Sequence, residues 1–183
     1  YELLRSLVGS EMCIRDRVQG AVEAFGRLDI AVANAAHSIR GPVVSADWED
    51  VLRVLEVSQF GVFHTCQFAA RQMLAQEPSG SSRGKIVIVS SILEELPAPH
   101  SGPYNMAKAA VNHLGRTLAA ELARDRVNVN MVNPGWIDTP GERQFASEEA
   151  LQSGGSRIPW GRLGTPDDIA RAVAFLALSL IHI

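Results

Sequence analysis

Lys85-Ile86-Val87-Ile88-Val89-Ser90-Ser91 is the stretch that decides the fold. Its centre is β-branched at four successive positions and shows no polar alternation. A strand apolar on both faces is buried on both, which is the habit of a parallel sheet covered by helices. Two small hydroxyl residues follow at once, where a buried strand gives way to a polar edge.

Working outward, Leu28–Ala33 (LDIAVA) is a second compact apolar run, and Val127–Val132 is a third. Helical segments separate them. Trp48–Ala75 is long and apolar on more than one face, and Tyr104–Arg124 carries Ala107, Val111, Leu114, Leu118 and Leu122 at helical spacing. Val18–Phe25 reads as a short helix stopped by Gly26, Pro78–Gly84 as a Ser/Gly-rich loop, and Asn133–Trp160 as loop-rich. Thr165-Pro166-Asp167-Asp168 opens a last helix reaching about Ala177, with a Thr cap, Pro in the first turn and acids at the positive end of the dipole. Alternating strands and helices predict one α/β domain with a doubly wound parallel sheet and right-handed crossovers. The sheet is incomplete for that architecture, because only three strands are visible.

Bulk properties narrow the function. With 183 residues, 46% of them apolar, the chain can bury a sizeable core in one domain. A net charge of −3 gives no electrostatic footprint for nucleic acid. Apolar runs are too short to span a bilayer. Cys13 and Cys66 stand apart from any Cys/His cluster, so neither a metal site nor a disulfide framework is expected. No secretory signal is visible, and a reducing, cytoplasmic setting is expected.

The chemistry concentrates at Tyr104-Asn105-Met106-Ala107-Lys108, with Ser91 upstream. A phenol and an ammonium four residues apart share one helix face. The spacing predicts that Lys108 lowers the Tyr104 pKa, giving a general acid or base for a carbonyl or alcohol oxygen that Ser91 holds.

Six segments in order make the resemblance specific. They are Asn34-Ala35-Ala36; Val57 to Phe63, ending in Gly61-Val62-Phe63; Ser91; Tyr104 with Lys108; Asn133-Pro134-Gly135 followed by Thr139-Pro140; and Gly161 to Asp168. Over about Val18 to Ala177 the chain resembles the short-chain dehydrogenase/reductase family, truncated at both ends. The resemblance implies a partial Rossmann-like NAD(P)-binding domain over residues 18–177 that moves a hydride between a nicotinamide and a small-molecule alcohol, ketone or sugar. It implies Ser91, Tyr104 and Lys108 as the catalytic residues. It implies cofactor contacts from Asn34, Ala35, Tyr104, Lys108, Pro134, Gly135, Ile137 and Thr139, with NAD or NADP left open. A homodimer or homotetramer is implied for the complete enzyme, paired through the two long helices.

Three departures accompany this pattern. Ser58 stands where the family usually has an Asn that anchors a water in the proton relay, and Trp48 to Gly61 looks a few residues too long. The family's first strand and glycine-rich phosphate turn are not found before Val18; Gly80 to Lys85 precedes a strand and reads as a solvated loop. Residues 1–17 and 178–183 resemble translated adapter read-through and are expected to be non-native.

The runs Ser91 to Pro99 and Ile158 to Gly161 resemble glucose 1-dehydrogenase-like members. The alternatives are a 3-oxoacyl-carrier-protein reductase-like ketoreductase and a catalytically inert fragment. His37 and His100 fall in loops near the expected crevice, Glu94 and Glu95 just after Ser91, and Trp136 and Trp160 flank the loop that covers substrate in this family.

Overall fold

The computed structural model describes residues 10–178. The expectations for residues 1–9 and 179–183 lie outside it. Three strands, β1 (Ile30–Ala33), β2 (Gly84–Val89) and β3 (Val127–Val132), form a parallel sheet in the order β1-β2-β3. The register sets Ala33 beside Ile88 and Val89 beside Val132, so all three strands end at nearly the same level. This is the α/β, Rossmann-like arrangement expected, with three strands among the described residues.

The helices are α1 (Glu11–Phe25), α2 (Trp48–Leu55), α3 (Gly61–Ala75), α4 (Gly102–Leu122), α5 (Glu148–Ser156) and α6 (Pro166–Ala177). The core lies between the sheet and α3 and α4. Cys66, Ala69 and Met73 from α3 and Val111 from α4 meet Ile86, Ile88, Val127 and Val129 from the strands. Gly115 lets α4 lie close to the sheet, because a Cβ there would stand 2.5 Å from the Met131 sulfur. Burial pushes the Cys66 thiol up to about 12, so it is a packing group and not a nucleophile.

Several boundaries differ from the sequence expectation, each for a visible reason. β1 starts two residues later than Leu28, because the Gln76 side chain takes both backbone groups of Leu28: Leu28 N donates to Oε1 at 3.1 Å and Nε2 donates to Leu28 O at 2.7 Å. The long helix over Trp48–Ala75 is not continuous. A π-type turn, Glu56–Phe60, joins α2 to α3, with Gly61 N donating to Glu56 O five residues back. A π turn accommodates an extra residue, which accounts for one residue of the excess length noted between Trp48 and Gly61. α1 starts at Glu11 and not at Val18, because Ile14 continues the Val18–Val22 stripe and is buried. α5 interrupts the loop-rich stretch, capped by the Ser147 hydroxyl, which accepts from Ala150 N at 3.3 Å. α6 begins as read, with a capping box between Thr165 and Asp168.

Among the described residues β1 and β3 each pair only with β2. Ile30 and Val32 on β1 are 38% and 42% exposed. An open apolar edge is a template for further strand pairing. Light scattering of the isolated chain should therefore rise with concentration, and Ile30→Lys with Val32→Lys should suppress that rise. A concentration-independent monomer in the parent chain would contradict the expectation.

Candidate active site

Ligand sites of open α/β sheets lie beyond the carboxyl ends of the strands. Here those ends deliver Asn34, Ser90-Ser91 and Asn133-Pro134 to one side of the sheet. A crevice of about 680 Å³ opens there, lined by Asn34, Ser91, Tyr104, Lys108, Pro134, Gly135, Ile137 and Thr139 among others. Eight of the nine residues singled out in the sequence thus share one cavity. Ala35 is exposed one position beyond Asn34 and is not part of the lining.

The α4 helix meets β2 through a double clamp. Lys108 Nζ donates to Val89 O at 2.7 Å, and Ser90 Oγ donates to Lys108 O at 3.2 Å. Lys108 is only 1% exposed, and burial lowers its pKa to about 8. Its ammonium lies 5.5 Å from the centre of the Tyr104 ring. Ser91 caps a short turn, its Oγ accepting from Leu93 N at 3.1 Å, while Ile92 N donates to Pro134 O at 3.0 Å. These bonds tie β2's end to the segment after β3.

The expected direction of the tyrosine shift is overturned. Burial raises the Tyr104 pKa above the ordinary phenol value, and this outweighs the lowering by a hydrogen bond with Ser91 and by the charge of Arg40. Glu142 raises it further. The charges that act on the phenol come from the loops, and the helical neighbour expected to lower it is itself penalised by burial. Tyr104 is therefore a neutral phenol, a proton donor, at neutral pH.

Ser58 sits in the π turn, fully buried. It does not face the crevice lining directly; it binds the backbone of His37, which does. His37 N donates to Ser58 Oγ at 2.8 Å, and Ser58 Oγ donates to His37 O at 2.7 Å. The serine fixes the loop after β1. Ser58→Ala leaves a backbone N–H and C=O without this partner, at a cost of about 1–3 kcal/mol. The measurement is the urea midpoint of the variant; an unchanged midpoint would show that the loop is held by other contacts.

The segment after β3 forms the far wall. Asp138 N donates to Gly164 O at 2.9 Å and Gly164 N to Trp136 O at 3.0 Å, pinning it to the approach to α6. Trp136 lies against Gly154 of α5, where a Cβ would stand 2.0 Å from the ring. Its Nε1 donates to Glu142 Oε1 at 3.0 Å. Trp160, by contrast, is exposed, with the Arg162 guanidinium 6.0 Å from its ring centre. His37 lines the crevice; His100 borders a smaller adjoining pocket, in a left-handed conformation with φ 64°. Glu94 accepts from Asn133 Nδ2 at 3.2 Å. Arg40, Glu142, Gln144 and Phe145 also line the crevice. They went unread in the sequence because loop residues carry no periodicity; the only signal was Arg40's place on the same loop as Asn34 and His37.

Known proteins match this chain in both sequence and fold. A family model described as "Enoyl-(Acyl carrier protein) reductase" matches residues 5–182. A 3beta-hydroxysteroid dehydrogenase 1 of Eggerthella lenta is 35% identical over 171 residues, covering 93% of this chain and 64% of that protein. A 3-oxoacyl-[acyl-carrier-protein] reductase of Thermotoga maritima is 35% identical over 164 residues, covering 90% of this chain and 64% of the relative. The crystal structure of a gluconate 5-dehydrogenase from Burkholderia cenocepacia, in complex with NADP and tartrate, superposes with a TM-score of 0.83 at 30% identity, over 93% of this chain and 65% of that one. The chain thus spans under two thirds of the length of each. It belongs to the short-chain dehydrogenase/reductase family.

Proposed function

We propose that this chain carries the catalytic half of an NAD(P)-dependent oxidoreductase that interconverts an alcohol and a carbonyl on a small molecule. The observation that carries the reading is the convergence of Ser91, Tyr104 and buried Lys108 with the loop after β3 on one crevice. When bound, a nicotinamide dinucleotide supplies or accepts the hydride. The donor set suits its ribose and carboxamide. The Val89 carbonyl accepts from one of the three N–H groups that a lysine ammonium offers. Thr139 Oγ1 accepts from Glu142 N at 3.2 Å, and its own O–H remains a donor toward the crevice. Asn34 presents an amide from the end of β1.

Tyr104 gives its proton to the carbonyl oxygen during reduction and takes it back during oxidation. Ser91 holds that oxygen. Lys108 holds its ammonium 5.5 Å from the centre of the Tyr104 ring, where its free N–H groups serve the ribose of the cofactor. Because the phenol is raised in the free crevice, oxidation should accelerate with rising pH through the neutral range, while reduction stays level there.

The substrate reading is a sugar or related polyol, supported by the runs Ser91 to Pro99 and Ile158 to Gly161 and by the likeness to the gluconate 5-dehydrogenase. The ketoreductase alternative draws on the family description and on the carrier-protein reductase relative. Homodimeric or homotetrameric assembly through α3 and α4 is supported by Phe63 on α3 and Met106 on α4, with Phe60 just before α3, each 42–51% exposed. The test is turnover of NAD⁺ and NADP⁺ by the chain with sugars, secondary alcohols and a 3-hydroxyacyl thioester, followed by nicotinamide absorbance. Hydride transfer from none of these overturns the oxidoreductase reading for this chain.

A further inference from the structure

Arg40 reaches the crevice from the loop after β1, and the proton-transfer steps above give it no task. Its Nη1 donates to the Ser101 hydroxyl, and Ser101 is fully buried. Its guanidinium lies over the Phe145 ring, 5.3 Å from the centroid. A guanidinium held by a buried hydroxyl and an aromatic face keeps its fork in one plane, and that fork matches a carboxylate.

The acid it now faces is a poor match. Glu142 Oε2 stands 3.5 Å from Nη2, while its Oε1 is occupied by the Trp136 indole N–H at 3.0 Å. The contact is loose and one-pointed. Among the described residues lining the crevice, Glu142 is the only acid, against the cations Arg40 and Lys108. Arg40, Glu142 and Tyr104 line the same crevice, so the fork faces the space that a small substrate occupies when its oxygen meets the phenol.

Building on the proposed hydride-transfer site, we propose that its substrate is a hydroxy or oxo acid whose carboxylate docks on Arg40, displacing Glu142, which stands in for it when substrate is absent. The two residues then act in opposite directions. Arg40→Met removes the receptor; Glu142→Gln removes the competitor yet keeps an oxygen for the Trp136 N–H. A purely structural ion pair would make both variants worse.

The experiment is calorimetric titration of the full chain with D-gluconate and glycerate, each against its neutral polyol, glucitol and glycerol, together with turnover of the same compounds. The acids should bind in preference to the polyols. Arg40→Met should weaken the acids by about 10- to 100-fold and the polyols far less, as loss of a charge-assisted pair does. Arg40→Lys should restore only part of this, since a point charge cannot form the fork. Glu142→Gln should tighten the acids about 2- to 5-fold, the scale of one partly exposed ion pair. Equal binding of acid and polyol, no acid binding, or parallel weakening in both variants overturns the proposal. Acid binding with this pattern but no hydride transfer leaves the receptor standing and sinks the oxidoreductase reading; turnover of polyols without preference for acids does the reverse.

Discussion

Turnover is expected to fall by about 10²- to 10⁴-fold when Tyr104 is replaced by phenylalanine, the range measured for loss of a positioned general acid or base. The ring stays, so the packing beside Lys108 stays, and only the hydroxyl, with its proton and its bond to Ser91, is lost. Among the described residues Tyr104 is the only tyrosine, so their crevice lining offers no second phenol. Cofactor affinity should change far less than turnover, because Lys108 and the loop after β3 keep their contacts while the proton transfer of the transition state is lost. The thermal midpoint should hold as well. The decisive pair of measurements is single-turnover hydride transfer and cofactor titration on the same preparation. Near-normal transfer in the variant would remove Tyr104 from the mechanism, whatever the geometry around it.

Much of this site was legible because its residues sit at the ends of regular elements. Ser91 follows a β-branched run that can only be a buried strand, and Tyr104 and Lys108 are fixed relative to each other by helical spacing. Parallel register then did the rest, bringing three strand ends to one level. What escaped the sequence depends on contacts between distant segments. The shift of the tyrosine pKa depends on how deeply α4 seats against β2, which spacing cannot give. Ser58 stood out in the sequence only as a departure from the family's relay Asn; its hydrogen bonds to His37 need the π turn to aim it inward. Arg40 and Glu142 are more than a hundred residues apart, on loops whose only constraint is what they touch.

Lys108 offers the second large effect, one in which stability and activity part. Its folded pKa is about 8, below the ordinary 10.5. Between those values the unfolded chain binds more protons than the folded one, so stability rises with pH across that window. Below about pH 8 both states are charged, and the native state bears the full desolvation cost. The gap between the two pKa values puts that cost at about 3 kcal/mol. Lys108→Met removes it. The variant also leaves the Val89 carbonyl without its Nζ donor, a loss of about 1–3 kcal/mol. The two nearly cancel at pH 7, so the variant should be as stable as the parent or more stable there. The clearer signature is the slope: urea midpoints of the parent should climb from pH 8 to about 9, above which the raised Cys66 and Tyr104 pull the other way, and those of Lys108→Met should lose that climb. Turnover, in contrast, should collapse, because the charge beside Tyr104 and a ribose donor disappear together. A buried ammonium that weakens the fold yet cannot be removed without losing activity is the mark of a functional group. A Lys108→Met chain with the parent's pH slope would show that another group titrates in that window and that Lys108 is an ordinary packing residue.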